Sequence, residues 1–167
     1  MNNMAGPVNL HPDLSEFLQL LNECKVEYLL VGGYALAAHG HVRYTKDIDF
    51  WVSPADANVD RILDVLRRFG FTDTQECAAT LRSTDGIVSL GREPVRIDLL
   101  THIPGVEFAL ARKRRIDTQL AGVPVALICR EDLIRAKLAS NRLQARADLE
   151  ELAVPAGRLK TRDEDSK

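Results

Sequence analysis

The chain has 167 residues, 46% of them hydrophobic and 28% charged, which predicts one folded unit and excludes a disordered or disulfide-dependent chain. Lysine and arginine number 22 against 24 aspartates and glutamates, for a formal net charge of −2. A nearly neutral protein is not held on nucleic acid by its overall field, so contact with RNA or DNA would need a local basic patch.

The N-terminal segment lacks the basic start and apolar run of a secretory signal. The longest stretch without a charged residue, 28–42, has 15 residues, fewer than the about 20 that cross a bilayer. We therefore expect a cytoplasmic protein that does not enter a membrane. The three cysteines, Cys24, Cys77 and Cys129, fit no zinc spacing, and we expect them to be reduced and buried.

Apolar residues at helical spacing predict a first helix that begins at Pro12 and ends near Lys25. An almost wholly apolar segment, 26–31, predicts a strand. Gly32 and Gly33 end that strand, and a short helix over 34–38 follows.

The next strand is predicted over 47–52, and the Ser-Pro pair at 53–54 supplies an N-cap and a first-turn proline for a helix that ends at Gly70. Two short apolar runs, 87–90 and 95–100, are separated by a Gly- and Pro-containing connection. This spacing predicts an antiparallel hairpin.

The C-terminal third predicts a basic helix over 106–114, a strand pair over 116–120 and 123–128, and a helical segment over 130–152 with a break near Asn141. Within that last helix, Leu133, Ile134 and Leu138 are predicted to face the core. The final dozen residues are mostly polar and charged.

The predicted fold class is α+β: a small mixed sheet with helices packed on it, followed by C-terminal helices. We assign residues 1–154 to a single domain, with the sheet at about 26–128 and the C-terminal helices at about 130–152. Residues 155–167 are predicted to form a flexible charged tail.

Three aspartates lie in predicted strands, where aspartate is depleted. Asp47 and Asp49 are two residues apart, so both point to one face while Ile48 and Phe50 point into the core. In the strand over 95–100, the same alternation places Asp98 opposite the apolar side chains. If the two strands are neighbours, three carboxylates converge.

Carboxylate oxygens without His or Cys suit Mg²⁺ or Mn²⁺, which also accept phosphate oxygens as ligands. The alternative is that the aspartates are strand-end residues in turns, or form salt bridges with Arg43, Lys46 or Arg96. The combination of three such aspartates favours a metal site and phosphate chemistry.

A Gly-Gly turn between a buried strand and a helix lets backbone N–H groups approach an anionic phosphate. Gly32 and Gly33 occupy such a turn, although a pair of glycines is by itself also typical of a tight turn. The Walker and Gly-x-Gly-x-x-Gly patterns are both absent, so the P-loop and Rossmann interpretations fail.

Gly32-Gly33, then 13 residues, then Asp47-Ile-Asp49, then Asp98 on a later strand resembles the signature of the DNA polymerase β-like nucleotidyltransferase superfamily. The segments 31–40 and 43–49 look like the minimal branch that includes the AbiEii/AbiGii-type toxin nucleotidyltransferases. Downstream, 130–137 and 148–152 are similar to the family's C-terminal helical motif. The resemblance covers roughly residues 12 to 153 and departs from the family pattern at Ala145.

The resemblance implies roles for individual residues. Asp47, Asp49 and Asp98 would be the catalytic residues and the ligands of two Mg²⁺ or Mn²⁺ ions, with Asp98 as a candidate proton acceptor. The residues implied in nucleotide binding are Gly32, Gly33, Arg43, Lys46 and Lys137.

For Lys137 a plain surface position is the alternative to phosphate binding. Tyr34 and Trp51 are expected to pack in the core, with base stacking as the alternative. The basic run 112–115 is expected to be a solvated helix end, with a patch for an RNA acceptor as the alternative.

The resemblance implies a metal-dependent enzyme that moves a nucleoside monophosphate from an NTP to a hydroxyl on RNA, such as tRNA, or on a protein. It further implies a toxin of a toxin–antitoxin pair, with an antitoxin-like partner, and the small size of the chain allows a homodimer. Two alternatives stay open: a non-catalytic nucleotide-sensing or partner-binding module on the same fold, and a metal-dependent phosphohydrolase.

Overall fold

The computed structural model describes residues 9–41, 45–140 and 143–153. In this part of the chain the strands are β1 (Tyr28–Val31), β2 (Asp47–Val52), β3 (Ile87–Arg92), β4 (Val95–Leu100), β5 (Ile116–Leu120) and β6 (Val123–Leu127). The helices are α1 (Pro12–Glu23), α2 (Gly32–Ala38), α3 (Asp56–Phe69), α4 (Gln75–Arg82), α5 (Phe108–Lys113), α6 (Arg130–Ser140) and α7 (Leu143–Ala153).

The six strands form one mixed sheet in the order β3-β4-β2-β1-β6-β5. Its two outer pairs, β3 with β4 and β5 with β6, are antiparallel hairpins, as the sequence predicts. In the centre, β1 is antiparallel to β2, while β2 is parallel to β4 and β1 is parallel to β6. The predicted α+β class with a small mixed sheet is confirmed.

The core lies mainly between the sheet and α1 and α3. Phe17 of α1 meets Phe50 of β2 at a ring-centroid distance of 6.0 Å, and Tyr28 meets Phe50 edge-on at 5.5 Å. Ile48 and Phe50 are both fully buried, which confirms the predicted alternation along β2. Trp51, on the other face, packs edge-on against Phe108 at 5.1 Å, so its ring belongs to the core and base stacking is wrong for it.

Helix α4 is absent from the sequence prediction. Only Leu81 of its eight residues is buried, so the segment has almost no apolar stripe to reveal it. Arg82, at the end of α4, donates to Asp56 at 3.1 Å and to Asp60 at 3.2 Å, which joins α4 to α3. The helix thus has ion pairs with α3 but lacks the hydrophobic periodicity from which a helix is predicted.

The start of α3 differs from the prediction. The N-cap is Ala55, and the hydroxyl of Ser53 instead accepts a bond from the Ala55 N–H at 3.3 Å. The buried Asn58 side chain accepts from the Glu27 N–H at 2.7 Å and donates to the Ser53 carbonyl at 2.9 Å. Asn58 therefore bonds to the residue before β1 and to the residue after β2. With these bonds in place, the helix starts after the Ser-Pro pair.

The helical segment after β6 is two helices, α6 and α7, as the predicted break implies; Asn141 itself lies outside the described residues. The charged tail assigned to 155–167 also lies outside them. Within the described ranges, no helix is long and apolar enough to cross a membrane.

The prediction of three buried cysteines holds only for Cys129. Cys24 and Cys77 are partly exposed, because Cys24 caps the surface end of α1 and Cys77 lies on the poorly buried α4. All three are free thiols.

Candidate functional site

The predicted carboxylates lie on neighbouring parallel strands. Asp49 of β2 is directly opposite Asp98 of β4, and Asp47 is opposite Arg96. Because side chains two residues apart share a face of a strand, all four project from the same side of the sheet. The three carboxylates were expected to converge if the two strands are neighbours, and the strands are neighbours.

The Gly-Gly turn lies against the same carboxylates. Gly32, the first residue of α2, has a φ of +71°, and a Cβ at this position would overlap the Asp49 carboxylate. A Cβ on Gly33 would lie 2.8 Å from the Cβ of Thr45, whose hydroxyl donates to the Asp47 carbonyl at 2.9 Å. Glycine at both positions lets the turn pack directly on the start of β2.

Asp49 is the most perturbed acid of the group. Burial, followed by the negative charges of Asp98 and Asp47 and a hydrogen bond with Asp98, raises the pKa of Asp49 to about 7, while Lys137 acts weakly in the opposite direction. A raised pKa in a cleft is typical of functional sites. Without an added cation, the site therefore tends to hold a proton at neutral pH.

Arg96 supplies the nearest positive charge. Its Nε lies 3.3 Å from Oδ1 of Asp98 and 3.8 Å from Oδ1 of Asp47, and its Nη2 donates to the Ser89 hydroxyl at 3.5 Å. The salt bridge considered as an alternative for the aspartates is thus present with Arg96. The sequence analysis considered Arg96 only as a salt-bridge partner of the aspartates. The period of two along β4, which places Arg96 on the same face as Asp98, could have identified it as a site residue.

The donor chemistry of the site suits a hard divalent cation. Asp47 Oδ1 is buried, and no hydrogen-bond partner for it occurs among the described residues. A buried carboxylate oxygen of this kind calls for a cation or a donor. In the same part of the chain no three His, Cys, Asp or Glu side chains are already arranged as a metal site, and Arg96 lies between Asp47 and Asp98.

A cleft of about 400 Å³ opens beside Asp49 and Asp98, within the usual size range of small-molecule sites. Gly32, Arg96 and Lys137 contribute to its polar side. Its other side is apolar and is formed by Ile87, Leu100, Ile103, Pro104 and Leu133. Neither the proline nor the isoleucine of the 103–104 loop has a sequence signal that links it to the aspartates.

Lys137 projects into this cleft from α6. Its Nζ lies 2.8 Å from Oδ2 of Asp148, a residue of α7 that is only 1% exposed. Leu138, the next residue of α6, is 66% exposed. The prediction that Leu138 faces the core is therefore wrong, while Leu133 is buried as predicted.

Lys46, another predicted phosphate-binding cation, does not line the cleft. Lys46 Nζ lies 3.4 Å from Oε2 of Glu93 in the β3–β4 turn, and both side chains are more than half exposed. Arg43 lies outside the described residues.

The basic run 112–115 is not a simply solvated helix end. Arg114 donates two bonds of 2.9 Å to the fully buried Asp132, which also accepts from Arg135 at 2.8 Å. Arg115 pairs with Asp117 at 3.1 Å. The helix end is solvated as expected, since residues 113–115 are exposed, but Arg114 in addition supplies charge to a buried acid of α6.

A family model described as nucleotidyltransferase of unknown function (DUF6036) matches residues 10–157. The matched segment covers most of the chain, including Gly32, Asp49, Asp98 and Lys137. No curated protein sequence matches the chain.

Proposed function

We propose a function from one premise: the chain belongs to this family of nucleotidyltransferases of unknown function. In our proposal the protein is a metal-dependent enzyme that transfers a nucleoside monophosphate from an NTP to a hydroxyl acceptor. The observation that supports it best is the pairing of Asp49 with Asp98 across two parallel strands, against a glycine whose Cα leaves no room for a side chain.

The three aspartates are the proposed ligands of Mg²⁺ or Mn²⁺, Asp47 and Asp49 from β2 and Asp98 from β4. When bound, the cation supplies positive charge that polarises the phosphates and lowers the pKa of the acceptor hydroxyl. For the cation to bind, Arg96 would have to release the carboxylate oxygens of Asp47 and Asp98, and its contact with the Ser89 hydroxyl would remain available to it.

The chain's own residues position the reactants. Gly32 and Gly33 bind the β- and γ-phosphates through backbone N–H groups, and Lys137 contacts phosphate from α6. The acceptor oxygen forms a bond to the α-phosphorus, the bond to the bridging oxygen breaks, and pyrophosphate leaves. A carboxylate oxygen of Asp98 accepts the hydroxyl proton.

The proposed acceptor is a hydroxyl of RNA, with a tRNA as the first candidate, or of a protein. The resemblance to toxin nucleotidyltransferases extends the proposal to a toxin that is held by an antitoxin-like partner. A homodimer would enlarge the surface that selects the acceptor, since the cleft of about 400 Å³ accommodates little beyond the nucleotide.

The test is incubation of a cell lysate with each of four α-labelled NTPs and Mg²⁺, followed by separation of RNA from protein. Wild type and the exposed control Asp85→Asn are expected to label the same acceptor and release pyrophosphate, whereas Asp49→Asn loses labelling by at least about 1,000-fold. A chelator of divalent ions is expected to abolish it.

Different results identify the alternatives. Free nucleoside monophosphate without a labelled acceptor would indicate a phosphohydrolase. Metal-dependent NTP binding without any transfer, and a biological effect that survives in Asp49→Ala, would indicate a non-catalytic module. Absence of NTP binding by the folded protein would contradict the proposal altogether.

A further inference from the structure

The cleft beside the aspartates has two unlike halves, and the proposed reaction uses only one of them. Its polar half, with the aspartates, Gly32 and Lys137, takes the cation and the phosphates in the proposal. Its apolar half is formed by Ile87 of β3, Leu100 of β4, Ile103 and Pro104 of the loop after β4, and Leu133 of α6. A contiguous apolar wall inside a cleft is typical of the part of a site that contacts the organic portion of a ligand.

Ile87 brings exposed apolar surface to the carboxylate face of the sheet. It is the first residue of the edge strand β3 and is 60% exposed, whereas Val88, on the opposite face, is buried. In the strand register Ile87 lies opposite Leu100, and Ser89 lies opposite Asp98. Ile87 therefore projects on the same side of the sheet as Asp98, about 7 Å further along the strand direction.

The loop that carries Ile103 and Pro104 is packed against α6. Gly105 has a φ of +77°, and a Cβ at this position would lie 2.7 Å from the Cβ of Ala139 and 3.1 Å from the carbonyl oxygen of Arg135. Glycine allows this close approach to the helix, and the ring of the proline fixes its own φ. Because packing holds the loop in place, a ligand that contacts it pays little for ordering it.

Hydrogen-bonding side chains are scarce in the apolar half. Among the described residues that line the cleft, Ser140 is the only uncharged one whose side chain can form a hydrogen bond. Its hydroxyl already donates to the Lys137 carbonyl at 3.0 Å, so towards a ligand it can only accept. An apolar pocket distinguishes ligands of similar shape only weakly, whereas a site built on hydrogen bonds rejects a mismatched ligand by about 10⁴-fold or more.

We propose that the apolar half of the cleft binds the nucleoside of the NTP, with the base against Ile87, Ile103 and Pro104 and held by burial rather than by base-specific hydrogen bonds. The protein then accepts all four NTPs with similar affinity. This inference rests on the proposed function, which supplies the triphosphate in the polar half. A base that is joined through ribose to a triphosphate is a single ligand that fills both halves of one cleft of about 400 Å³.

The experiment is calorimetric titration of the full chain, in Mg²⁺, with ATP, GTP, CTP, UTP and inorganic tripolyphosphate. We expect the four NTPs to bind with Kd values within about tenfold of one another. Each should bind at least about tenfold more tightly than tripolyphosphate, because tripolyphosphate occupies the polar half but buries no base.

Two isoleucines form a matched pair for mutation. Ile87 and Ile116 are each the first residue of an edge strand, at opposite edges of the sheet, and Ile116 is 42% exposed. Of the two, Ile87 lines the cleft. Ile87→Ser should weaken all four NTPs by about fivefold or more and leave the affinity for tripolyphosphate unchanged. Ile116→Ser should bind all five ligands as wild type does, and both variants should unfold near the wild-type temperature because both positions are exposed.

Three outcomes would overturn this inference and leave the proposed function in place. They are tripolyphosphate binding as tightly as the NTPs, unchanged NTP affinity in Ile87→Ser, and one NTP binding more than about tenfold more tightly than the other three. Unchanged NTP affinity in Ile87→Ser together with weaker labelling of the acceptor would assign the apolar half to the acceptor. Failure of wild type to bind the NTPs and tripolyphosphate alike would contradict the proposed function itself, and this inference with it.

Discussion

The two ends of β1 have local excesses of charge of opposite sign. At one end, Asp47, Asp49 and Asp98 gather negative charge that Arg96 only partly offsets. At the other end, Arg112 lies near Lys25 and Arg115, and its buried Nε and Nη1 atoms have no acceptor among the described residues. A net charge of −2 therefore conceals two local imbalances of opposite sign.

Asp132 is an example of a buried charge that is fully paired within the chain. Asp132 is fully buried but accepts bonds from Arg114, Arg135 and the Cys129 thiol. Together these bonds keep the pKa of Asp132 below its usual value although burial opposes them. The Asp132 carboxylate is thus fully paired inside the chain, whereas Asp47 Oδ1 and the Nε and Nη1 atoms of Arg112 have no hydrogen-bond partner among the described residues.

Removing the Asp132 carboxylate should have the largest effect on stability. Asp132→Ala is expected to lower the free energy of unfolding by about 2–4 kcal/mol, slightly less than for a fully buried ion pair because both arginines are partly exposed. Chemical denaturation measures this. The comparison fails if Arg112→Gln destabilises the protein as much as Asp132→Ala does.

The contact between the Gly-Gly turn and Asp49 can be tested with a matched pair of glycines. Gly32 and Gly122 have φ values of +71° and +80°, but only at Gly32 does an added Cβ meet another atom. We expect Gly122→Ala to cost about 1 kcal/mol for backbone strain alone. Gly32→Ala should cost roughly 3 kcal/mol and weaken NTP binding.

Equal costs for the two glycine variants, measured by denaturant unfolding at the same pH, would show that the turn does not pack on the Asp49 carboxylate. Retention of NTP binding in Gly32→Ala would separately contradict the role proposed for this turn.

The pH dependence of stability tests the excess negative charge. The pKa of Asp49 is raised to about 7 in the folded protein from 3.8 when unfolded, so the folded state holds the proton more tightly and wild type loses stability as pH rises from about 4 to about 7. Asp49→Asn removes this loss. Its unfolding free energy should exceed that of wild type by about 1–3 kcal/mol at pH 8 and by little at pH 4.

Adding Mg²⁺ extends this test. It should stabilise wild type at pH 8 but not Asp49→Asn, because the cation binds where the carboxylate charge is. Equal stability of the two proteins at pH 8 without metal would show that the aspartates are not in electrostatic conflict.

The smallest effect is expected at Lys46. Its pair with Glu93 is more than half exposed on both sides, so Lys46→Gln should change unfolding free energy by less than about 0.5 kcal/mol. In our structure Lys46 is not in the cleft lining, and NTP affinity should change little. A tenfold loss of NTP affinity would instead restore Lys46 as a phosphate ligand.

Local patterns predicted much of the sheet and the carboxylate group. The alternation around Asp49 and Asp98 sets which face each side chain occupies, and the glycines mark the turn after β1. Failures occurred where long-range partners decide the outcome. Helix α4 lies on α3 with Arg82 contacting Asp56 and Asp60, and on α6 Lys137 pairs with Asp148 while Leu138 is exposed.

The α+β class, the strands and the common face of Asp47 and Asp49 follow from local sequence patterns, because the periods of two and 3.6 are properties of the backbone. The tertiary fold, by contrast, brings β2 beside β4 and Asp49 against Gly32. It also decided that Arg114 is paired while Arg112 is not. Two arginines that lie two residues apart therefore differ in their pairing, since the carboxylate that pairs Arg114 belongs to a helix distant in the chain.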